Sequence, residues 1–306
     1  MGKPSNLKQY VVIILSMVFF SLSFVWFKVA NATYGPLTIV LFRLVISAIV
    51  VFGFIKLTKN LIVPKKKDLK YLLLLAFFEP FLYFMGESYG LQYISATIAA
   101  AIIATIPLVA PFAAYIFYRD KISIRNVIGI LISFFGVTIV IFNISEGITA
   151  SPIGVLLQFC AVLAAVGYTT VIQKISPRMN NLSIIFYQNM FGAIYFLPIW
   201  LIFEKDSFFA ISFNWESMFA IIKLALLVSS LAYIFFTYSI RNMGIIKANM
   251  FANTIPVFTA IFAWIILGDD LSVQKIIGIT IVVAGLFIAQ WKVKKQYNGP
   301  DPIPFE

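Results

Sequence analysis

Few residues in this sequence have chemistry to offer. Glu79, Glu87, Arg43 and Lys28 stand inside long apolar runs. Ionisable groups in such runs are costly, so each is a candidate for function by default. The chain has no histidine, which removes the commonest general base and metal ligand. Cys160 is its only cysteine, so an intrachain disulfide and a zinc cluster are both excluded. No metal and no cofactor are expected. The one Gly-Lys pair is Gly2-Lys3, so there is no P-loop and no ATP-driven pump. A membrane-embedded enzyme, the alternative from another class, would have to work with Glu79 and Glu87 alone.

Helical rise places these groups in depth. Glu79 lies ~13 Å from the inner end of its apolar run, close to mid-bilayer. Glu87 lies ~6 Å, Arg43 ~10 Å and Lys28 ~5 Å from the outer ends of theirs. Lys28, Arg43 and Glu87 can thus share an outer layer, with Arg43 pairing Glu87, while Glu79 sits deeper. A carboxylate there, partly desolvated, can bind a polar or cationic group or exchange a proton. The bland readings are that Lys28 snorkels, that Arg43 ties helix ends to carbonyls, and that Glu79 is a protonated acid bonded to a neighbouring helix. Helical spacing puts Glu79, Tyr83, Glu87 and Gly90 on one face, and Pro80 is expected to kink the helix. Trp26, Tyr168 and Tyr233 are polar-tipped rings that need partners when buried. Gln188, Asn249 and Asn253 complete the candidate site.

These residues need a scaffold, and composition says which. The chain has 306 residues, 61% of them hydrophobic and only 11% charged. Its solvent must therefore be lipid. Ten apolar runs are long enough to be spans: Lys8–Asn31, Pro36–Leu57, Lys70–Leu91, Ser95–Tyr118, Ile124–Asn143, Ile153–Ile175, Leu182–Phe203, Ser217–Ile240, Ile245–Gly268 and Val273–Trp291. The first is too long for a signal-peptide core and reads as a retained span. The net charge of +11 comes from lysines and arginines in short loops, which set orientation rather than bind nucleic acid. With the N-terminus in the cytoplasm, Lys65–Lys67, Arg119, Lys121 and Arg125 fall inside, and Glu204, Asp206, Asp269 and Asp270 fall outside.

The chain also repeats itself. Tyr89–Phe142 overlays Tyr238–Trp291 without a gap, with Pro107 on Pro256, Gly129 on Gly278 and Gly136 on Gly285. Five spans per half is odd, so the halves are inverted. The charges agree: Arg119-Asp120-Lys121 is basic where Gly268-Asp269-Asp270 is acidic. The fold class expected is an all-α polytopic membrane protein of two inverted five-helix repeats, residues 1–147 and 148–291. A cytoplasmic, disordered tail, 292–306, follows. Inverted repeats are the architecture of secondary transporters, with the site near mid-bilayer between the halves. Pro107 and Pro256, at matched places, are the candidate hinges.

The string from Pro256 through Gly268-Asp269-Asp270 to Gly278 and Gly285 resembles the second-half signature of the EamA family of the drug/metabolite transporter superfamily. Asp269 replaces the glutamate usual there. Ser21-Leu-Ser-Phe24-Val-Trp26-Phe-Lys28, then Pro36-Leu-Thr and Leu41-Phe42-Arg43, is similar to the first-half signature. The resemblance implies ten helices, with the fifth and tenth as peripheral braces, and a monomer or weak homodimer. It also implies transport of small molecules, often outward. The charge pattern places both termini in the cytoplasm, and the inner membrane is the location expected. Amino acids or related compounds are the substrate class favoured, by alternating access with possible proton coupling; efflux of drugs or other cationic compounds is the alternative. Impermeant labelling of cysteines placed in the Lys65–Lys67 and Asp269–Asp270 turns should report opposite faces of the membrane. One common face would overturn the inverted arrangement.

Overall fold

The computed structural model describes residues 6–109, 124–143, 147–148, 150–172, 174–175, 179–243 and 251–290. Six helices are long and apolar enough to cross a bilayer: Leu7–Asn31, Pro36–Leu57, Lys66–Tyr93, Pro152–Ile172, Asn181–Phe203 and Trp215–Ser239. Shorter apolar helices, Ala96–Val109, Val127–Ile141, Ile255–Leu267 and Val273–Ile288, fall where the remaining expected spans lie. Apart from one ladder, β1 (Phe142–Asn143) against β2 (Gly147–Ile148), the described residues form helices joined by short connections. The chain is a multi-pass membrane protein.

The elements are α1 (Asn6–Asn31), α2 (Pro36–Leu57), α3 (Lys66–Ala76), α4 (Tyr83–Tyr93) and α5 (Ala96–Ile103). Then come α6 (Ile124–Ile141), α7 (Pro152–Ile172), α8 (Asn181–Phe203) and α9 (Lys205–Ala210). The series closes with α10 (Trp215–Lys223), α11 (Tyr233–Met243), α12 (Ile255–Phe262) and α13 (Val273–Gln290). A kink at Glu79 and Pro80, within Phe77–Leu82, separates α3 from α4. Wide π-helical turns interrupt two further spans, Leu224–Ala232 between α10 and α11 and Ala263–Leu267 after α12. Under the sequence repeat the kink falls on the first of these turns. The expected third span therefore starts earlier, at Lys66, and is not one regular helix.

Pro80 explains the first interruption. A residue before proline is disfavoured in the helical region, and Glu79 accordingly adopts φ −145° and ψ 116°. The one-face series expected from Glu79 to Gly90 is thus broken at its first member. The bend is housed by a glycine: a Cβ at Gly192 of α8 would collide with Cγ of Pro80. Two further breaks are twins. Ala104–Thr105 interrupts the helix before Pro107, and Asn253–Thr254 interrupts the helix before Pro256. In each the threonine hydroxyl donates to the carbonyl three residues back, Thr105 to Ile102 and Thr254 to Phe251, both at 2.6 Å.

Helices α6 and α13 pack along their lengths in opposite senses. A Cβ on Gly136 would stand 2.7 Å from the Val282 nitrogen and 2.8 Å from the Gly278 carbonyl oxygen. A Cβ on Gly285 would stand 2.7 Å from the carbonyl oxygen of Gly129. Residues paired by the repeat therefore meet reciprocally, Gly129 with Gly285 and Gly136 with Gly278. Ser133 Oγ closes the seam by donating to the Val282 carbonyl at 3.0 Å. Small residues let backbones approach this closely in lipid.

The seam between α2 and α8 is pinned at both ends. Glu204 accepts from the Leu37 and Thr38 amides at 3.0 and 2.7 Å, capping α2. Trp200 is buried and donates to Thr38 Oγ1 at 2.9 Å. At the other end Asn180 donates to the Asn60 carbonyl at 2.7 Å, and the Ile62 amide to Ser183 Oγ at 3.0 Å.

Gly136→Ala and Gly285→Ala should each lower the thermal midpoint in detergent, at a cost of about 1–3 kcal/mol. Gly53→Ala, whose added methyl meets nothing within 4 Å, should leave it unchanged.

Candidate functional site

Glu79, released from helical geometry, turns its carboxylate to Tyr233, whose hydroxyl donates to Oε1. The two come from opposite halves of the chain. Glu79 is 8% exposed. Tyr168 on α7 donates to Oε1 of Gln188 on α8 at 3.3 Å, and it interacts electrostatically with both Glu79 and Tyr233. Phe20 meets the Tyr233 ring edge-on at 5.1 Å. Four of the expected site residues, Glu79, Tyr168, Gln188 and Tyr233, are thus gathered from α7, α8, α11 and the turn at Pro80.

A second group lies beside them. Arg43 on α2 is 1% exposed. Its Nε donates to Ser229 Oγ at 3.0 Å, and its Cζ stands 4.3 Å from the centroid of the Phe84 ring. Regular helix resumes at Tyr83, so i, i+4 spacing holds there and Tyr83 donates to Glu87 Oε1 at 2.9 Å. Glu87 is the strongest electrostatic partner of Arg43, and Glu79 is weaker. Among the described residues no ion pair within 4.0 Å joins Arg43 to either carboxylate, so the expected Arg43–Glu87 pairing is a coupling across space.

A set of neutral side chains adjoins Ser229, the hydrogen-bond partner of Arg43. Ser47 and Ser230 share a hydrogen bond of 2.8 Å. Asn189 donates to Ser47 Oγ at 2.8 Å and to the Ser229 carbonyl at 3.3 Å. Ser230 donates to the Ala225 carbonyl at 2.9 Å, five residues back, as the wide turn permits. Ser47 was legible as the residue one turn beyond Arg43. Gln158 was legible as the amide in the seventh helix: it is fully buried and donates to the Glu87 carbonyl at 3.1 Å.

Other expected members stand elsewhere. Lys28 feels the Asp269 carboxylate across space, and among the described residues it makes no ion pair within 4.0 Å with Glu87. Asp269, in the turn after Gly268, has its carboxyl pushed up by burial, against the pull of Lys275 and Lys28. Trp26 faces the Lys223 ammonium, 5.8 Å from its ring centroid. Asn253 is buried, with Pro256 close after it in sequence, at the break in the ninth apolar run. Pro107 follows the matching break. Asn249, the Arg119–Lys121 turn and the 292–306 tail lie outside the described residues. A groove of about 370 Å³ between α2 and α8, lined by Leu41, Phe52, Phe186 and Met190 among others, is apolar and separate from the polar cluster.

The profile of the EamA-like transporter family matches the chain twice, over residues 7–142 and 152–291. The chain belongs to that family. A protein of Archaeoglobus fulgidus named "Uncharacterized transporter" is 26% identical, over 92% of this chain and 98% of its own length. The "Uncharacterized transporter YetK" of Bacillus subtilis is 29% identical, over 78% of this chain and 72% of its own. A crystal structure with 13% identity superposes at a TM-score of 0.69, covering 93% of this chain and 98% of its own, and shares the fold. The protein is a membrane transporter, not an enzyme.

Tyr233→Phe removes the hydrogen-bond donor that Glu79 receives from the other half. It should cost about 1–3 kcal/mol, read as a lower thermal midpoint in detergent. The double variant with Glu79→Gln should be less destabilised than the sum of the single variants, because the two side chains act as one unit.

Proposed function

We propose that this protein is a secondary active transporter that exports amino acids or related small metabolites by alternating access. It would span the inner membrane ten times, as inverted five-helix halves 1–147 and 148–291, with both termini cytoplasmic, as a monomer or weak homodimer. The observation that carries the reading is the buried polar cluster strung between the halves, above all Glu79 with Tyr233. Intramembrane acids of this kind mark substrate or ion pathways, and transporters of inverted repeats bind at the boundary between repeats. The antiparallel α6–α13 seam and the reversed charge of the turns support the inversion. The twin breaks before Pro107 and Pro256 support hinges at matched places, each half bending where a helix hydrogen bond is already lost.

Glu79 is the coupling acid in this reading. It exchanges its hydrogen bond from Tyr233 for a proton or a substrate ammonium as the halves part. Its alternative role, holding a cationic drug-like compound, draws on the same carboxylate.

Purified protein in proteoliposomes, offered a panel of amino acids, amines and cationic dyes with and without an imposed pH gradient, tests the proposal. Gradient-driven movement of amino acids is expected, with Glu79→Gln losing the gradient dependence. A Glu79→Gln protein of unchanged rate and pH profile would remove the coupling role. Movement of dyes and not amino acids would replace the substrate class.

A further inference from the structure

Arg43 is a buried cation whose charge is only partly answered. A guanidinium has five N–H donors and stays protonated in proteins. Here Nε is spent on a neutral hydroxyl, Ser229 Oγ at 3.0 Å, and one face lies on Phe84 at 4.3 Å. Those two contacts fix the plane of the fork. Among the described residues neither terminal nitrogen, Nη1 or Nη2, donates to any acceptor, and neither carboxylate closes to ion-pair distance. Glu87 instead takes the Tyr83 hydroxyl, and Glu79 takes the Tyr233 hydroxyl. Each acid is thus held by a tyrosine in this arrangement. Arg43 is 1% exposed, and a cation held there with no carboxylate at ion-pair distance is costly unless an anion completes it.

We infer that the terminal nitrogens of Arg43 are the docking point for a substrate carboxylate, aimed by Ser229 and Phe84, and that the substrate is a zwitterion. This deepens the reading of the preceding section and rests on it. A planar carboxylate fits the guanidinium fork with two parallel hydrogen bonds. Glu87 and Glu79, which act on Arg43 across space, disfavour a dianion. The same acids receive an ammonium carried on the neighbouring carbon of the ligand. Ser229 is a positioning residue: it touches Arg43, and its hydroxyl sets which nitrogens remain free.

The test is inhibition of uptake in proteoliposomes by matched compounds differing in one group: leucine, 3-methylbutylamine, which lacks the carboxylate, and 4-methylpentanoate, which lacks the ammonium. Serine with ethanolamine and 3-hydroxypropanoate forms a second set. For the wild type the amino acid should compete roughly a hundredfold better than its amine, as expected when a buried charge loses its partner. In Arg43→Gln that ratio should fall toward one. Ser229→Ala, a milder change that keeps the charge, should raise the KM for the amino acid while leaving that for the amine unaltered. Equal competition by amine and amino acid in the wild type, or an undiminished preference in Arg43→Gln, overturns the assignment. Arg43-dependent movement of the simple carboxylates alone would keep the fork and remove the amino-acid reading. Movement of amines alone would remove both.

Discussion

The cost of holding polar groups in lipid governs this molecule. Hydrocarbon offers no water to satisfy a carboxylate, a guanidinium or an amide, so each must find its partner within the protein. The partners found here lie largely across the boundary between the halves. Glu79 of the third apolar run meets Tyr233 of the eighth, Arg43 meets Ser229, and Ser47 meets Ser230 and Asn189. The groups that the bilayer tolerates least are therefore the ones that hold the halves together. A rearrangement that parts the halves must supply new partners, and a substrate or a proton can be that supply.

Irregular backbone is concentrated where those groups sit. The kink within Phe77–Leu82 and the wide turn at Leu224–Ala232 occupy equivalent places in the two halves. Each carries polar side chains, Glu79 in one and Ser229 with Ser230 in the other. A regular helix would turn such residues by its own period. A widened or broken turn lets the backbone aim them, and π turns recur at functional sites for this reason. The regular glycine seam of α6 and α13 lies apart from the cluster and has no ionisable group among the residues that form it. Rigid bracing and adjustable chemistry are thus assigned to different helices.

The halves share backbone devices but not side-chain chemistry. Thr105 and Thr254 make the same hydrogen bond ahead of Pro107 and Pro256. Yet the first half supplies the charges, Arg43, Glu79 and Glu87, while the second supplies hydroxyls and amides.

Apolar run length and composition alone identify a membrane protein, and the repeat with its reversed turn charges is what motivates the inverted layout proposed above. The candidate acids and Arg43 were legible because charge is so rare in these spans. Pairing was not legible. Depth along a helix placed Lys28 with Arg43 and Glu87, but depth has no azimuth, and the carboxylate that acts on Lys28 across space is Asp269. Helical periodicity put Glu79 in line with Tyr83, whereas the residue before Pro80 leaves the helix and faces another element. Sequence determines which groups are too costly to leave alone in lipid; only the packing of helices against one another decides which group answers which, because that depends on rotation about each helix axis and on breaks that shift it.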